Sequence, residues 1–118
     1  MADRSASMVE IDAFINEPML AGLVAAHVGD AVLDPRASPL RAADHADLAP
    51  AFILAAGHDP LVDQGRAYAA LLQRSGVATE YRCYDGAIHA FFTFGAAVDI
   101  ANDAVAEVAQ QLSAAFAD

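Results

Sequence analysis

Two residues able to do acid–base chemistry stand at matching places in the chain. Asp59 ends the apolar run A-F-I-L-A-A-G-H and is followed by Pro60; His89 follows the run T-E-Y-R-C-Y and the pair Asp85-Gly86. Thirty positions separate them, with one helix-length segment between. Such a strand–helix–strand unit brings the C-terminal ends of parallel strands to one edge of a sheet, where an acid and an imidazole can meet. A buried carboxylate that accepts an imidazole N–H fixes the tautomer and stabilises the imidazolium as it forms. Taken singly, each residue also has a plainer role. Asp59 fits an acid capping the turn at a strand end, and His89 a half-buried histidine with one backbone partner.

The elements that must position the pair follow from pattern. Ala51–Ala56 is apolar throughout, as expected of a parallel strand buried on both faces. Gly57 and His58 make the turn that presents Asp59. Asp63 caps a helix running to about Ser75, with Tyr68, Leu71 and Leu72 inward and Gly76 ending it. Thr79–Tyr84 alternates, Tyr81 and Cys83 against Glu80, Arg82 and Tyr84, which suits a strand nearer a sheet edge. Asp85-Gly86 then turns the chain toward His89. A last helix begins near Asp99 with one apolar stripe of Ile100, Ala104, Val105, Val108, Leu112 and Phe116. Upstream, Ser7 and Glu10 fit a capping box. Two short helices are expected over roughly 8–16 and 18–28, separated at Pro18 and ended by Gly29. Residues 34–40 hold two prolines, which exclude regular helix, and the Ser38 hydroxyl should bond backbone in a turn. Arg41–Ala49, with Asp44, His45 and Asp47, reads as a solvated connector.

The run D-P-L-x-D-x-G at 59–65, followed by H-x-F-F at 89–92, resembles the C-terminal part of an α/β-hydrolase of the hormone-sensitive-lipase-like carboxylesterase family (α/β-hydrolase fold-3). The D-P-R-x-S-P-L run at 34–40 extends the likeness upstream. The resemblance implies an α/β fold in which two parallel strands, about 51–56 and 79–84, carry flanking helices. Residues 1–33 would form a helical segment like the family's cap and connector region, and 34–118 the C-terminal hydrolase portion. It further implies that Asp59 and His89 are the acid and base of a Ser–Asp–His triad, acting on a small carboxylic ester through an acyl-enzyme and without a cofactor. Two departures stand out. Many members have glycine where this chain has Ala90, which would be strained at positive φ, and often an acid where it has Gln64. The sequence also holds no G-x-S-x-G nucleophile elbow and no H-G-G-G run of the kind that supplies oxyanion-hole N–H groups.

Composition narrows the partners. The 118 residues are 57% hydrophobic and only 19% charged, a balance expected of a slice from a larger α/β protein rather than of a small independent domain. The net charge of −10, from 16 acids against 6 bases, argues against nucleic acid, whose phosphates need clustered Lys and Arg. A single cysteine, Cys83, permits no internal disulfide and reads as a strand residue. No apolar run approaches the roughly 20 residues of a membrane span. With no signal-peptide pattern at the start, the default expectation is cytoplasmic. His58 beside Asp59, or His45 with Asp44 and Asp47, lacks further ligands at a defined spacing, so no metal is expected.

Two functions therefore stand. One is an ester hydrolase whose nucleophile comes from outside this sequence. The other is a catalytically inactive remnant or interaction module that assembles with itself, as a homodimer, or with a separate N-terminal hydrolase portion. Two strands alone make a marginal sheet and leave edges that invite pairing.

Overall fold

The computed structural model describes residues 17–117. The helix expected over 8–16 and the Ser7–Glu10 capping box lie outside them. The first described helix, α1 (Glu17–His27), has Pro18 in its opening turn, where no helical N–H is required. It ends before Gly29, which takes a left-handed φ of 54°. Two short 3₁₀ turns, Gly29–Leu33 and Pro39–Arg41, carry the chain past the prolines. Ser38 Oγ donates to the Val32 carbonyl at 2.5 Å, the local backbone bond expected of it.

The centre of the fold is a parallel pair, β1 (Ala51–His58) and β2 (Thr79–Ile88), joined by α2 (Val62–Arg74). α2 lies over one face, with Ala69 and Leu72 buried beneath it. Full burial of one leucine is worth about 2 kcal/mol. On the other face Ala56 and Ala87 pack against Ala101 and Ala104 of α3 (Asp99–Ala115) and against Phe91, with Leu54 and Tyr84 beside them. The chain is an α/β unit in which two parallel strands are flanked by helices, as the resemblance implies.

Four expectations need correction. First, the strands outrun their expected ends: β1 continues through Gly57 and His58, and β2 through Asp85-Gly86 to Ile88. Asp85-Gly86 is a bulge rather than a turn. Between the pairs Ala56–Tyr84 and His58–Ile88, β1 advances two residues while β2 advances four. The bulge presses on Gly57, where a Cβ would lie 2.6 Å from Asp85 Cα and closer still to its carbonyl oxygen, so only glycine fits. Second, Asp63 is not the cap of α2. Leu61 holds that position, and Asp63 sits in the first turn, where its charge suits the helix dipole. Third, His45 is buried rather than solvated. Its Nε2 lies 2.7 Å from the Pro39 carbonyl and its ring stands edge-on to Tyr68, which ties the connector to the 3₁₀ turn. Fourth, much of the apolar stripe on α3 faces outward: Leu112 is 54% and Phe116 82% exposed, and the small Ala101 and Ala104 make the buried contact.

Candidate active site

The tips of β1 and β2 bring Asp59 and His89 together. His89 Nδ1 lies 2.9 Å from Asp59 Oδ2, with the imidazole 34% and the carboxylate 12% exposed. The carboxylate is held from its other oxygen, because the Leu61 N–H donates to Oδ1 at 2.8 Å. The Val62 N–H also donates to the Asp59 carbonyl at 3.1 Å, closing the turn that Pro60 begins. An ionised carboxylate can only accept, so its bond to His89 places the imidazole hydrogen on Nδ1. Nε2 then carries the lone pair, and no described residue bonds it. This arrangement can take a proton from a hydroxyl or water brought to Nε2 and return it to a departing group.

The bulge in β2 is what brings His89 within reach. The two extra residues advance the strand end, and Ala90 then reverses the chain in the left-handed region, at φ 61° and ψ 18°. The glycine-favouring conformation at this position is therefore adopted by an alanine, a strain of about 1 kcal/mol. Phe91, only 2% exposed, anchors the turn, and the Thr93 and Phe94 N–H groups donate back to the Ala90 and Phe91 carbonyls.

Asp59 and His89 open onto a cleft of about 880 Å³, walled by Leu54, Ala56, Tyr68 and Phe92 and by residues of the 32–41 segment. Gln64 lines it, where the resembled family often has an acid. Cys83 lies on β2; burial first, and then Asp85, push its thiol above the ordinary range, so it stays protonated and weakly nucleophilic at neutral pH. Among the described residues no three His, Cys, Asp or Glu side chains converge as metal ligands, and no helix is long and apolar enough to cross a membrane.

Pattern reading missed the cluster beside the turn. Tyr84 Oη donates to Glu107 Oε2 at 2.6 Å, and Arg82 Nε to Glu107 Oε1 at 2.9 Å. The Tyr84 hydroxyl and then the Arg82 guanidinium hold the Glu107 carboxyl below its ordinary range. Strand alternation does place Arg82 and Tyr84 on one face. Their partner 23 residues beyond Tyr84 follows from no local pattern.

Comparison with known proteins bears on the whole arrangement. The profile of a family described as alpha/beta hydrolase fold matches residues 2–93. The chain is similar to ethyl acetate hydrolase of Pseudomonas putida, 40% identical over 80 residues that cover 68% of this chain and 25% of that protein. Among solved structures, an esterase of Pyrobaculum calidifontis is 30% identical with a TM-score of 0.81, the match covering 93% of this chain and 38% of that one. An ester hydrolase from the metagenome of Lake Arreo is 37% identical with a TM-score of 0.80, over 98% of this chain and 38% of the other. The chain thus spans about a quarter of the length of the first and under two fifths of the other two.

Proposed function

Because the chain belongs to the α/β-hydrolase fold family, we propose that Asp59 and His89 are the acid and the general base of a carboxylic ester hydrolase. The observation that carries this reading is the 2.9 Å bond between His89 Nδ1 and an Asp59 carboxylate already fixed by the Leu61 N–H. In this reading residues 34–118 are the C-terminal portion of the hydrolase and 1–33 its connector. The serine nucleophile and the oxyanion donors come from a segment outside these 118 residues. His89 Nε2 takes the hydroxyl proton as the serine oxygen bonds to the ester carbonyl carbon. It returns that proton to the alcohol as the C–O bond breaks, leaving an acyl-enzyme. Water attacks the acyl carbon by the same proton route and releases the acid. Similarity to a hydrolase of ethyl acetate supports a short acyl ester as substrate.

The test is hydrolysis of p-nitrophenyl acetate and butyrate by the purified chain beside its His89→Ala variant. Equal background rates are expected, since in this reading the nucleophile comes from outside the chain. Turnover that needs His89 would show the chain to supply its own nucleophile and would end the half-site reading.

One further observation favours the second reading, an inactive module that assembles with itself or with an N-terminal hydrolase portion. Among the described residues β1 has β2 as its one strand neighbour, although its sequence is apolar on both faces. Met19, Leu23, Leu112 and Phe116 are also exposed. Sedimentation of the chain from micromolar to millimolar concentration separates the cases. Concentration-dependent mass supports self-assembly, and a monomer throughout rules it out.

A further inference from the structure

The His89 turn is packed, through Phe91, against Tyr84 and Glu107, which are not among the residues lining the cleft. Ala90 holds a left-handed conformation, which persists only where its surroundings over-determine it. The constraint comes from Phe91, buried two residues after His89. One wall of the Phe91 site is the ring of Tyr84, with centroids 5.3 Å apart and planes tilted by 45°. That ring is fixed at its far end, where its hydroxyl donates to Glu107 Oε2 at 2.6 Å, and Arg82 Nε occupies Oε1 at 2.9 Å. Charge-assisted bonds of this kind are about twice as strong as neutral ones. The Glu107 side chain is only 16% exposed, so water competes little for it.

We infer that Tyr84 and Glu107 are positioning residues for the imidazole: Glu107 on α3 fixes the Tyr84 ring, the ring fixes Phe91, and Phe91 sets the turn that aims His89 at Asp59. The inference deepens the acid–base reading and rests on it. A second bond across the same helix–strand interface provides an internal comparison. Gln111 Nε2 donates to Glu80 Oε2 at 2.8 Å, near the start of β2 and away from Phe91. A merely structural role for Glu107 would make the two bonds equivalent. A positioning role would make only one of them felt at His89.

The test reads the imidazole directly, by nitrogen-15 spectra of the full chain that report the His89 tautomer and the exchange of its Nδ1 proton with water. Asp59→Asn comes first. If the native signal does not depend on Asp59, the acid–base reading itself fails. If it does, Tyr84→Phe and Glu107→Ala should each accelerate Nδ1 proton exchange about five-fold, the opening expected from losing one hydrogen bond's net worth. Gln111→Ala should leave it within about two-fold of native. Glu107→Gln, which keeps an acceptor for Tyr84, should restore most of the native protection, and it carries the test with Tyr84→Phe should the alanine variant not fold. Native tautomer and exchange in both Tyr84→Phe and Glu107→Gln, together with either a native result or no fold in Glu107→Ala, would overturn the inference. So would a change in Gln111→Ala as large as theirs.

Discussion

The turn at residues 85–91 and the outer surface of α1 and α3 are built from similar residues and end in opposite states. In the turn, Ala87 and Phe91 are buried in one cluster with Ala101 and Ala104 of α3, Ile88 alone of the apolar residues between them being exposed, and the Thr93 and Phe94 N–H groups close the 3₁₀ turn on the Ala90 and Phe91 carbonyls. On the outer surface, leucine, valine and phenylalanine repeat with helical spacing, yet Leu23, Leu112 and Phe116 meet solvent. The bond between His89 and Asp59 is therefore assembled on a small α/β unit whose outer helix faces stay exposed. Geometry at the strand tips rests on the His89–Asp59 bond, the close approach of Gly57 to the Asp85 backbone and the packing of Phe91 against Tyr84.

Gly57→Ala should break the enclosed region most severely. The added Cβ meets the Asp85 backbone, which cannot swing aside like a flexible side chain, at a cost of about 2–4 kcal/mol. A lowered urea midpoint with loss of the His89–Asp59 signal would show it. Native stability would mean that the bulge is not pinned there. Leu72→Ala and Leu112→Ala sharpen the contrast directly. The first empties a buried site and should cost about 2–4 kcal/mol, the second less than about 0.5 kcal/mol, by the same denaturant measurement. Equal costs would mean that Leu112 is covered in solution.

Smaller effects probe the turn itself. Ala90→Gly relieves a left-handed alanine and should raise stability by about 0.5–1 kcal/mol in thermal unfolding, leaving the imidazole signal in place. The pH effect is the least. Glu107 is held below its ordinary value in the folded chain, so its contribution is complete above the unfolded carboxylate value and is lost as pH falls through the folded one. The melting temperature of the native chain should drop faster than that of Glu107→Gln below about pH 4. Parallel curves would remove Glu107 from the set of stabilising groups.

Much of this was legible in the sequence because it is local. Apolar Ala51–Ala56, the helix between Asp63 and Ser75, and the glycine stops at 29 and 76 follow from short-range patterns. The expectation that position 90 would strain an alanine comes instead from the resemblance, whose members often carry glycine there. The bulge was not legible, because Asp85-Gly86 spells a turn unless the facing Gly57 is known to admit a second backbone. The burial of His45 depends on Tyr68 arriving from α2. The bond between Tyr84 and Glu107 joins a strand to a helix beyond the turn. The α3 periodicity identifies an apolar face and not what covers it, and Leu112 and Phe116 on that face stand exposed.

The most direct test of the proposed reading joins the chain to the N-terminal portion of a related esterase. The matching segment of the Pyrobaculum calidifontis esterase would be exchanged for this chain, and p-nitrophenyl acetate hydrolysis by the folded chimera measured with native Asp59 and with Asp59→Asn. The account predicts turnover in the first and a loss of about 10⁴-fold in the second, the scale seen when a triad acid can no longer fix its histidine. A folded chimera that keeps near full turnover with Asp59→Asn would contradict it.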